Sequence, residues 1–472
     1  MIQFTHIIAR MIAPDFKAFF WELSLEFAKR FVPRRILGNP RANLLLRGII
    51  FFYQFVLRRT GCAAPRELQA LHGRRLRRLV RAARRAPFWR GRLSLVRGTT
   101  SIEEIRPVTR EELADGARER FLTEPLNVRT MIERRTSGTT GAPLVLFIDA
   151  RTYFTETAAH YARMVEHYGI SFRAISRRRF FFALNYYDPR ALMFYPFLAE
   201  NATIDFFAER ESVPERVRGL AARMARGGSA GLFGHPPDLI LLAQYFEELG
   251  AAPPLAFVIT TGQRLETEAQ RYLEEAFHCP VISYYGNQET GIIAFQCPRE
   301  RETFHVCAER LILEVVDAAL KPVPPDVPGT IVLTCLDFRT FPIIRYLTGD
   351  RGTLLSRSCG CGLELPRIQF EGRETEFITL PDGTRIPERR IHTLFLTDRF
   401  VRKVRQFQIV QKSRASLEIA VVPALSWTPR DKNELETLIS GTLPPAMRVQ
   451  IVIVPSIPRV GVKTRSFIPL TE

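Results

Sequence analysis

No apolar run in this sequence is long enough to cross a bilayer. The longest, Gly48 to Leu57, is about half the ~20 residues that a spanning helix needs. Arg47, Arg58 and Arg59 flank it, so it reads as a helix packed on its own domain, with peripheral contact at a membrane interface as the alternative. Lysine is scarce, seven residues among 67 basic ones, yet the net charge is +18. The arginines are spread along the chain and no nucleic-acid-binding motif accompanies them, which argues against a nucleic-acid partner. An anionic membrane surface or a phosphorylated substrate remains open. The N-terminus shows no apolar core before a small-residue cleavage site, so no export signal is expected. Seven cysteines, an odd count in 472 residues, argue against a disulfide framework and for a reducing cytoplasm. Oligomeric state is not legible.

What the chain does have is a concentrated loop. Arg135-Thr136-Ser137-Gly138-Thr139-Thr140-Gly141-Ala142-Pro143 runs directly into the apolar stretch Leu144 to Ile148. Glycines allow φ > 0, so consecutive N–H groups converge on one point, and the hydroxyls add donors around the same concavity. The natural guest is a phosphate. The order differs from the strand–GxxxxGK[ST]–helix of a P-loop. An ordinary surface turn is the plainer reading of such a cluster.

Around this loop the pattern implies an α/β protein. Residues 1–90 read as helical; from Arg66 to Ala86, Leu68, Leu71, Leu76, Leu79, Val80 and Ala83 recur at helical spacing and arginines fill the solvated face. Pro87-Phe88-Trp89 is expected to end that helix. Between about 100 and 370, β-rich runs alternate with amphipathic helices. Ala256–Thr260, a helix over Glu266–Phe277 and Pro280–Tyr284 form one such unit, which implies a parallel, covered sheet. Leu311–Val316 and Thr330–Thr334 read as strands of an antiparallel or barrel-like part. The last hundred residues read as a small α+β unit: a hairpin over Gln406–Val410 and Ser416–Val422, a helix over Asp431–Ser440 and a strand over Arg448–Val454. The boundary is expected near Glu371-Gly372-Arg373.

Four further segments share one explanation with the loop. Tyr284-Tyr285-Gly286-Asn287-Gln288-Glu289 sets an aromatic, a glycine and a carboxylate after a strand; the aromatic suits a purine and the carboxylate suits Mg²⁺ on phosphates. Ile344-Arg345-Tyr346-Leu347-Thr348-Gly349-Asp350 ends a strand on an aspartate able to accept from ribose hydroxyls. Gly372-Arg373 stands at the expected boundary, and Lys463 is the only lysine after Lys432. In this order the set resembles the adenylate-forming superfamily of acyl-CoA synthetases, and within it the phenylacetate–CoA ligase and CapK-like branch, from roughly Arg66 to the C-terminus.

The resemblance implies a large N-terminal domain of mixed sheets and helices with a small C-terminal lid. Residues 1–90 would be a helical segment packed on the large domain, 91–371 the nucleotide- and substrate-binding domain, and 372–472 the lid. It implies ATP and Mg²⁺ as cofactors and a small-molecule carboxylic acid as partner, with CoA as one acceptor. Ser137, Gly138, Thr139, Thr140 and Gly141 would hold the ATP phosphates. Tyr285 and Gly286 would line the adenine and acyl pocket, Gly262 would approach the nucleotide, and Glu289 would bind Mg²⁺. Asp350 would hold the ribose, Arg373 would lie near ribose and hinge, and Lys463 would bridge carboxylate and α-phosphate, where a cation lets two anions meet. The family's lid rotates after the adenylate forms. Val462, Thr375, Leu347 and Gln263 depart from the family pattern, and its glycine-rich loop after the hinge is absent over Glu374–Gly383.

Cys297 with His305, and Cys359 with Cys361, offer four ligands suited to tetrahedral Zn²⁺, although the spacing is not C-x2-C. The alternative is buried, unliganded cysteines with a satisfied histidine. The functional expectation is ATP-dependent activation of a carboxylic acid as its acyl-adenylate with pyrophosphate release, then transfer to CoA or another acceptor. Set against it is a catalytically altered CapK-like protein acting in capsular or envelope polysaccharide biosynthesis.

Overall fold

The computed structural model describes residues 57, 60–93, 102–115, 118–127, 131–135, 144–171, 179–182, 198–201, 213–226, 228, 230–373, 376–458 and 466–470. They belong to two compact units. One is drawn from Met1–Arg177, Arg190–Leu198 and Tyr284–Glu371, the other from Arg178–Pro189, Ala199–Ser283 and Gly372–Glu472.

In the first unit, α1 spans Pro65–Ala83. Proline stands at N1, where its missing N–H is harmless, and Glu67 turns back to accept from the Ala64 N–H at 3.1 Å. Leu68, Leu71, Leu79 and Val80 face the core, while Arg77, Arg78 and Arg81 are exposed. The helix stops at Ala83, three residues before the predicted end, and Pro87 does not terminate it. Pro87 instead starts a second helix, α2 (Pro87–Leu93), for the same N1 reason. After α3 (Arg110–Ala114) come β1 (Met131–Arg135) and β2 (Val145–Asp149), an antiparallel pair whose last register is Arg135 opposite Val145. The glycine-rich loop therefore joins a hairpin, and residues 136–143 themselves lie outside the described residues. Helix α4 (Ala150–His167) follows, its Thr152 N–H capped by Asp149 at 3.0 Å.

In the second unit, β3 (Arg179–Phe182), β4 (Leu198–Asn201), α5 (Val213–Ala225), β5 (Ala230–Gly234), α6 (Pro236–Leu249), β6 (Leu255–Thr260) and α7 (Thr267–Phe277) alternate as the pattern predicts. The strands β3, β5 and β6 pair in parallel, and the first three residues of β7 (Val281–Asn287) continue that pairing on β6. Phe181, Leu232, Val258, Leu273 and Phe277 share one core.

From Tyr284 onward β7 belongs to the first unit and turns antiparallel, onto β8 (Gly291–Gln296). β9 (Thr303–Val306) pairs with β8 on one side and with β13 (Arg367–Arg373) on the other, and β12 (Tyr346–Leu355), β11 (Gly329–Cys335) and β10 (Leu311–Val316) extend the sheet from β13 in that order. Its core joins Trp89, Phe121, Leu146, Phe341 and Ile343.

The C-terminal residues carry the small hairpin β14 (Phe377–Thr379) and β15 (Arg385–Pro387), then α8 (Arg389–Phe395), β16 (Val404–Ser413), β17 (Ser416–Pro423), α9 (Pro429–Gly441), β18 (Arg448–Ile453) and β19 (Phe467–Ile468). The four-stranded order is β18-β17-β16-β19, and α8 and α9 contribute Ile391, Phe395, Leu435 and Ile439 to its core. Within the second unit this part is fastened to α6 and α7. Gln244 donates to the Val401 and Val404 carbonyls at 2.6 and 3.0 Å, and the Arg405 guanidinium lies 4.2 Å from the Tyr245 ring centre. Among the described residues, no helix is long and apolar enough to cross a membrane.

Candidate active site

The turn that follows β7 is shaped by its own residues. Asn287 accepts from the Thr290 N–H at 2.7 Å and from the Thr290 hydroxyl at 2.8 Å, an Asx-type closure that fixes residues 287–290. Gly286 admits no side chain, because a Cβ there would lie 2.8 Å from the Gly291 carbonyl oxygen and 3.0 Å from the Tyr284 ring. Glu289 is thereby held in a buried position, 5% exposed. Its Oε1 accepts from the Tyr346 hydroxyl at 2.9 Å and from Arg110 Nη1 at 3.2 Å. Burial and the Glu289 carboxylate push the Tyr346 phenol above its usual range, so it remains a donor.

Two other predicted segments meet this turn inside the first unit. The Tyr285 hydroxyl donates to Asp350 Oδ2, and the Tyr285 ring lies 4.1 Å from Phe370, which in turn packs on Phe304 at 5.1 Å. Asp350 is set by Gly349, whose φ of +74° turns the backbone, and by its own N–H donating to Thr348 Oγ1 at 3.1 Å. The shoulder of the glycine loop also reaches the turn: Arg134 on β1 donates from Nε to Gln288 Oε1 at 3.0 Å. Three motifs that are far apart in the chain therefore converge.

Sequence reasoning missed Arg110, Phe370 and the structural use of Arg345. Arg345 is 2% exposed and adopts a positive φ of 47°. Its side chain donates to Glu314 and to the backbone carbonyls of Glu103, Ile105 and Leu320, all between 3.0 and 3.2 Å. These bonds lock residues 103–105 beside β12, and Val108 then pairs with Tyr346. Nothing in the residue types around 110 separates that arginine from its many exposed neighbours.

The remaining predicted residues are placed elsewhere or lie outside the described residues. Gly262, in the second unit, has φ of +84°, and a Cβ there would meet the His235 ring at 3.0–3.3 Å, so only glycine lets that ring lie on the backbone. Arg373 is exposed, and its N–H donates to Glu376 Oε2 at 3.4 Å. Ser137, Gly138, Thr139, Thr140, Gly141 and Lys463 lie outside the described residues.

The cysteine–histidine set gathers in the first unit. The ligand atoms of Cys297, His305, Cys359 and Cys361 all lie within 4.8 Å of one another, with His305 Nε2 3.5 Å from Cys359 Sγ and 3.2 Å from Cys361 Sγ. Burial, reinforced by His167, Arg163 and Arg367, lowers His305 to about 3, which keeps the imidazole in its neutral, ligating form. Burial pushes the Cys297 thiol up and the Cys361 thiol up to about 12. Cys359 feels the same burial, but hydrogen bonds from Cys361 and Cys297 and the nearby Arg367 outweigh it and leave this thiol below its ordinary value. A cation shared by the set would favour the thiolates over these protonated forms. The donor set and its compactness fit a tetrahedral zinc ion.

The chain is similar to known proteins in sequence and in fold. A family model described as AMP-binding enzyme matches residues 135–334, which start at the last residue of β1 and include the glycine loop, β2 and the Tyr285–Glu289 turn. A curated relative, the phenylacetate-coenzyme A ligase of Thermus thermophilus, is 24% identical over 185 residues. That match covers 38% of this chain and about two fifths of the relative, 41%. The solved structure of 2-hydroxyisobutyryl-CoA ligase in the postadenylation state, in complex with R3-HIB-AMP, superposes with a TM-score of 0.69 at 20% identity, over 86% of this chain and 90% of that one. The anthranilate CoA ligase in complex with anthranoyl-AMP gives 0.52 at 15% identity, over 70% and 64%. At these identities the structural likeness is one of fold.

Proposed function

We propose that this chain, a member of the adenylate-forming superfamily, activates a carboxylic acid as its acyl-adenylate at the expense of ATP and releases pyrophosphate. The observation that carries this reading is the convergence on the Glu289 turn of Asp350, through Tyr285, and of the glycine-loop shoulder, through Arg134. A nucleotide needs those three chemistries side by side: a cradle for phosphates, a carboxylate for the metal and a carboxylate for the ribose.

In this reading the loop Ser137–Gly141 donates to the β- and γ-phosphates and Glu289 ligates Mg²⁺ on the triphosphate. Asp350 accepts from the ribose hydroxyls, and Tyr285, already bonded to Asp350, presents its ring to the adenine. Lys463 neutralises the approach of the acid. A carboxylate oxygen forms a bond to the α-phosphorus as the α–β phosphoanhydride bond breaks, and the electron pair leaves with pyrophosphate. The relatives named as CoA ligases support CoA as the acceptor of the acyl group. Zinc bound by Cys297, His305, Cys359 and Cys361 is assigned a structural role, since a closed four-ligand set leaves no position for substrate. The test is ATP–pyrophosphate exchange with a panel of aryl, hydroxy and fatty acids, followed by thioester detection with CoA. Acid-dependent exchange is expected; ATP turnover yielding ADP and phosphate would sink the proposal.

A further inference from the structure

Both hydrogen bonds that Glu289 receives from described residues fall on one oxygen, Oε1. The donors are not independent. Tyr346 opens β12, and Arg110 opens α3; between them Val108 donates its N–H to the Arg345 carbonyl at 2.8 Å, and Leu347 donates to the Val108 carbonyl at 3.0 Å. Arg110 is fixed further by the capping box of its helix, in which the Glu112 N–H donates to Thr109 Oγ1 at 3.2 Å and the Thr109 N–H to Glu112 Oε2 at 3.0 Å. The arginine is thus built into the site, with a side chain 25% exposed against 7% for Glu289.

We propose that Arg110 is a positioning residue for the metal carboxylate: together with Tyr346 it occupies Oε1, turns Oε2 toward the metal, and by its charge keeps Mg²⁺ affinity low enough for a metal–pyrophosphate product to leave. The proposal rests on the reading of Glu289 as the Mg²⁺ ligand. A guanidinium bound to a carboxylate competes with a divalent cation for that anion and repels the cation directly. Removing it frees the full negative charge for the metal. A residue whose role was only structural would have the opposite effect, since a loosened Glu289 would bind Mg²⁺ more weakly.

The test is binding of α,β-methylene-ATP to the full-length protein by calorimetry across a Mg²⁺ titration, a measurement that needs no acid substrate. In R110Q, and in R110M as a second neutral variant, the half-saturating Mg²⁺ concentration is expected to fall about five-fold or more, while R110K stays near wild type. An unchanged or raised midpoint in both neutral variants, with wild type Mg²⁺-dependent and E289Q not, overturns the role of Arg110 alone. Wild-type binding that ignores Mg²⁺, or E289Q that behaves as wild type, overturns the assignment of Glu289 and the inference with it.

Discussion

The Tyr285 hydroxyl donates to the Asp350 carboxylate, joining two motifs that lie 65 positions apart in the chain. This bond holds Asp350 in place before any ribose arrives. Under the proposed function, Asp350→Ala would remove the acceptor for the ribose hydroxyls, and hydrogen bonds to a charged group contribute about 1.5–3 kcal/mol each. ATP affinity is therefore expected to drop by at least about 30-fold, with the thermal midpoint near wild type because the side chain is not in the core. Calorimetric titration checks it; affinity within about three-fold of wild type would remove Asp350 from the nucleotide site.

How far this site was legible depended on whether residue type alone marks the role. Tyr285, Glu289 and Asp350 stand out by residue type and order, and the structure brings their segments together in the first unit, whereas Gly262 lies in the second. Secondary structure was similarly readable where periodicity was strong, as in α7 or β16–β17. The burial of charge was not readable. Arg75, Arg110 and Arg345 look like the many solvated arginines, yet Arg75 pairs with Asp337 and Arg345 with Glu314 in the interior. Their partners are 262 and 31 positions away, and no local pattern encodes such pairings. Pro87 misled for a different reason: a proline is compatible both with the end of one helix and the first position of the next.

The Arg345–Glu314 pair gives a stability prediction. Breaking a buried ion pair from one side typically costs about 3–5 kcal/mol, because the remaining charge stays desolvated. Burial raises Glu314 above the usual carboxylate range even with Arg345 beside it, which shows how much that charge depends on its partner. Arg345→Met is expected to lower urea stability by about that amount, and the double variant R345M/E314M to recover part of the loss. A double variant less stable than R345M would mean that the backbone carbonyls, rather than Glu314, dominate.

Zinc is the most direct of the chemical tests. The four ligand atoms already lie within 4.8 Å of one another, so binding requires little rearrangement. Purified protein is expected to carry about one equivalent of zinc, and Cys359→Ser or His305→Ala to lose most of it. Chelation is expected to lower the melting temperature by about 5 °C or more. Protein grown with added zinc and purified without it would refute the site.

Lys463 tests catalysis separately from binding. A cation that meets the acid and the α-phosphate stabilises the transition state more than bound ATP, so its loss should appear in turnover. Lys463→Ala is expected to reduce ATP–pyrophosphate exchange by about 100-fold or more, with ATP affinity changed less than about three-fold. Exchange that survives undiminished would move the bridging role to another residue, and Val462 directly before the lysine makes this a real question.

The last prediction concerns pH and the C-terminal part. Burial lowers His392, but Glu388, whose Oε1 lies 3.6 Å from His392 Nδ1, together with Glu266 and Glu376, outweighs it and raises the imidazole above its ordinary value. A group whose folded pKa exceeds its unfolded one contributes stability that is fully present below the unfolded value, about 6.5, and is lost as pH rises through the folded value. The stability difference between wild type and His392→Asn should thus be largest below pH 6.5 and shrink as pH rises through the raised folded value. Glu388→Gln should weaken the same dependence, because it removes the leading favourable charge. Urea unfolding at pH 6 and pH 8 decides this: a difference that grows with pH would reverse the sign and show that His392 is held neutral in the folded chain.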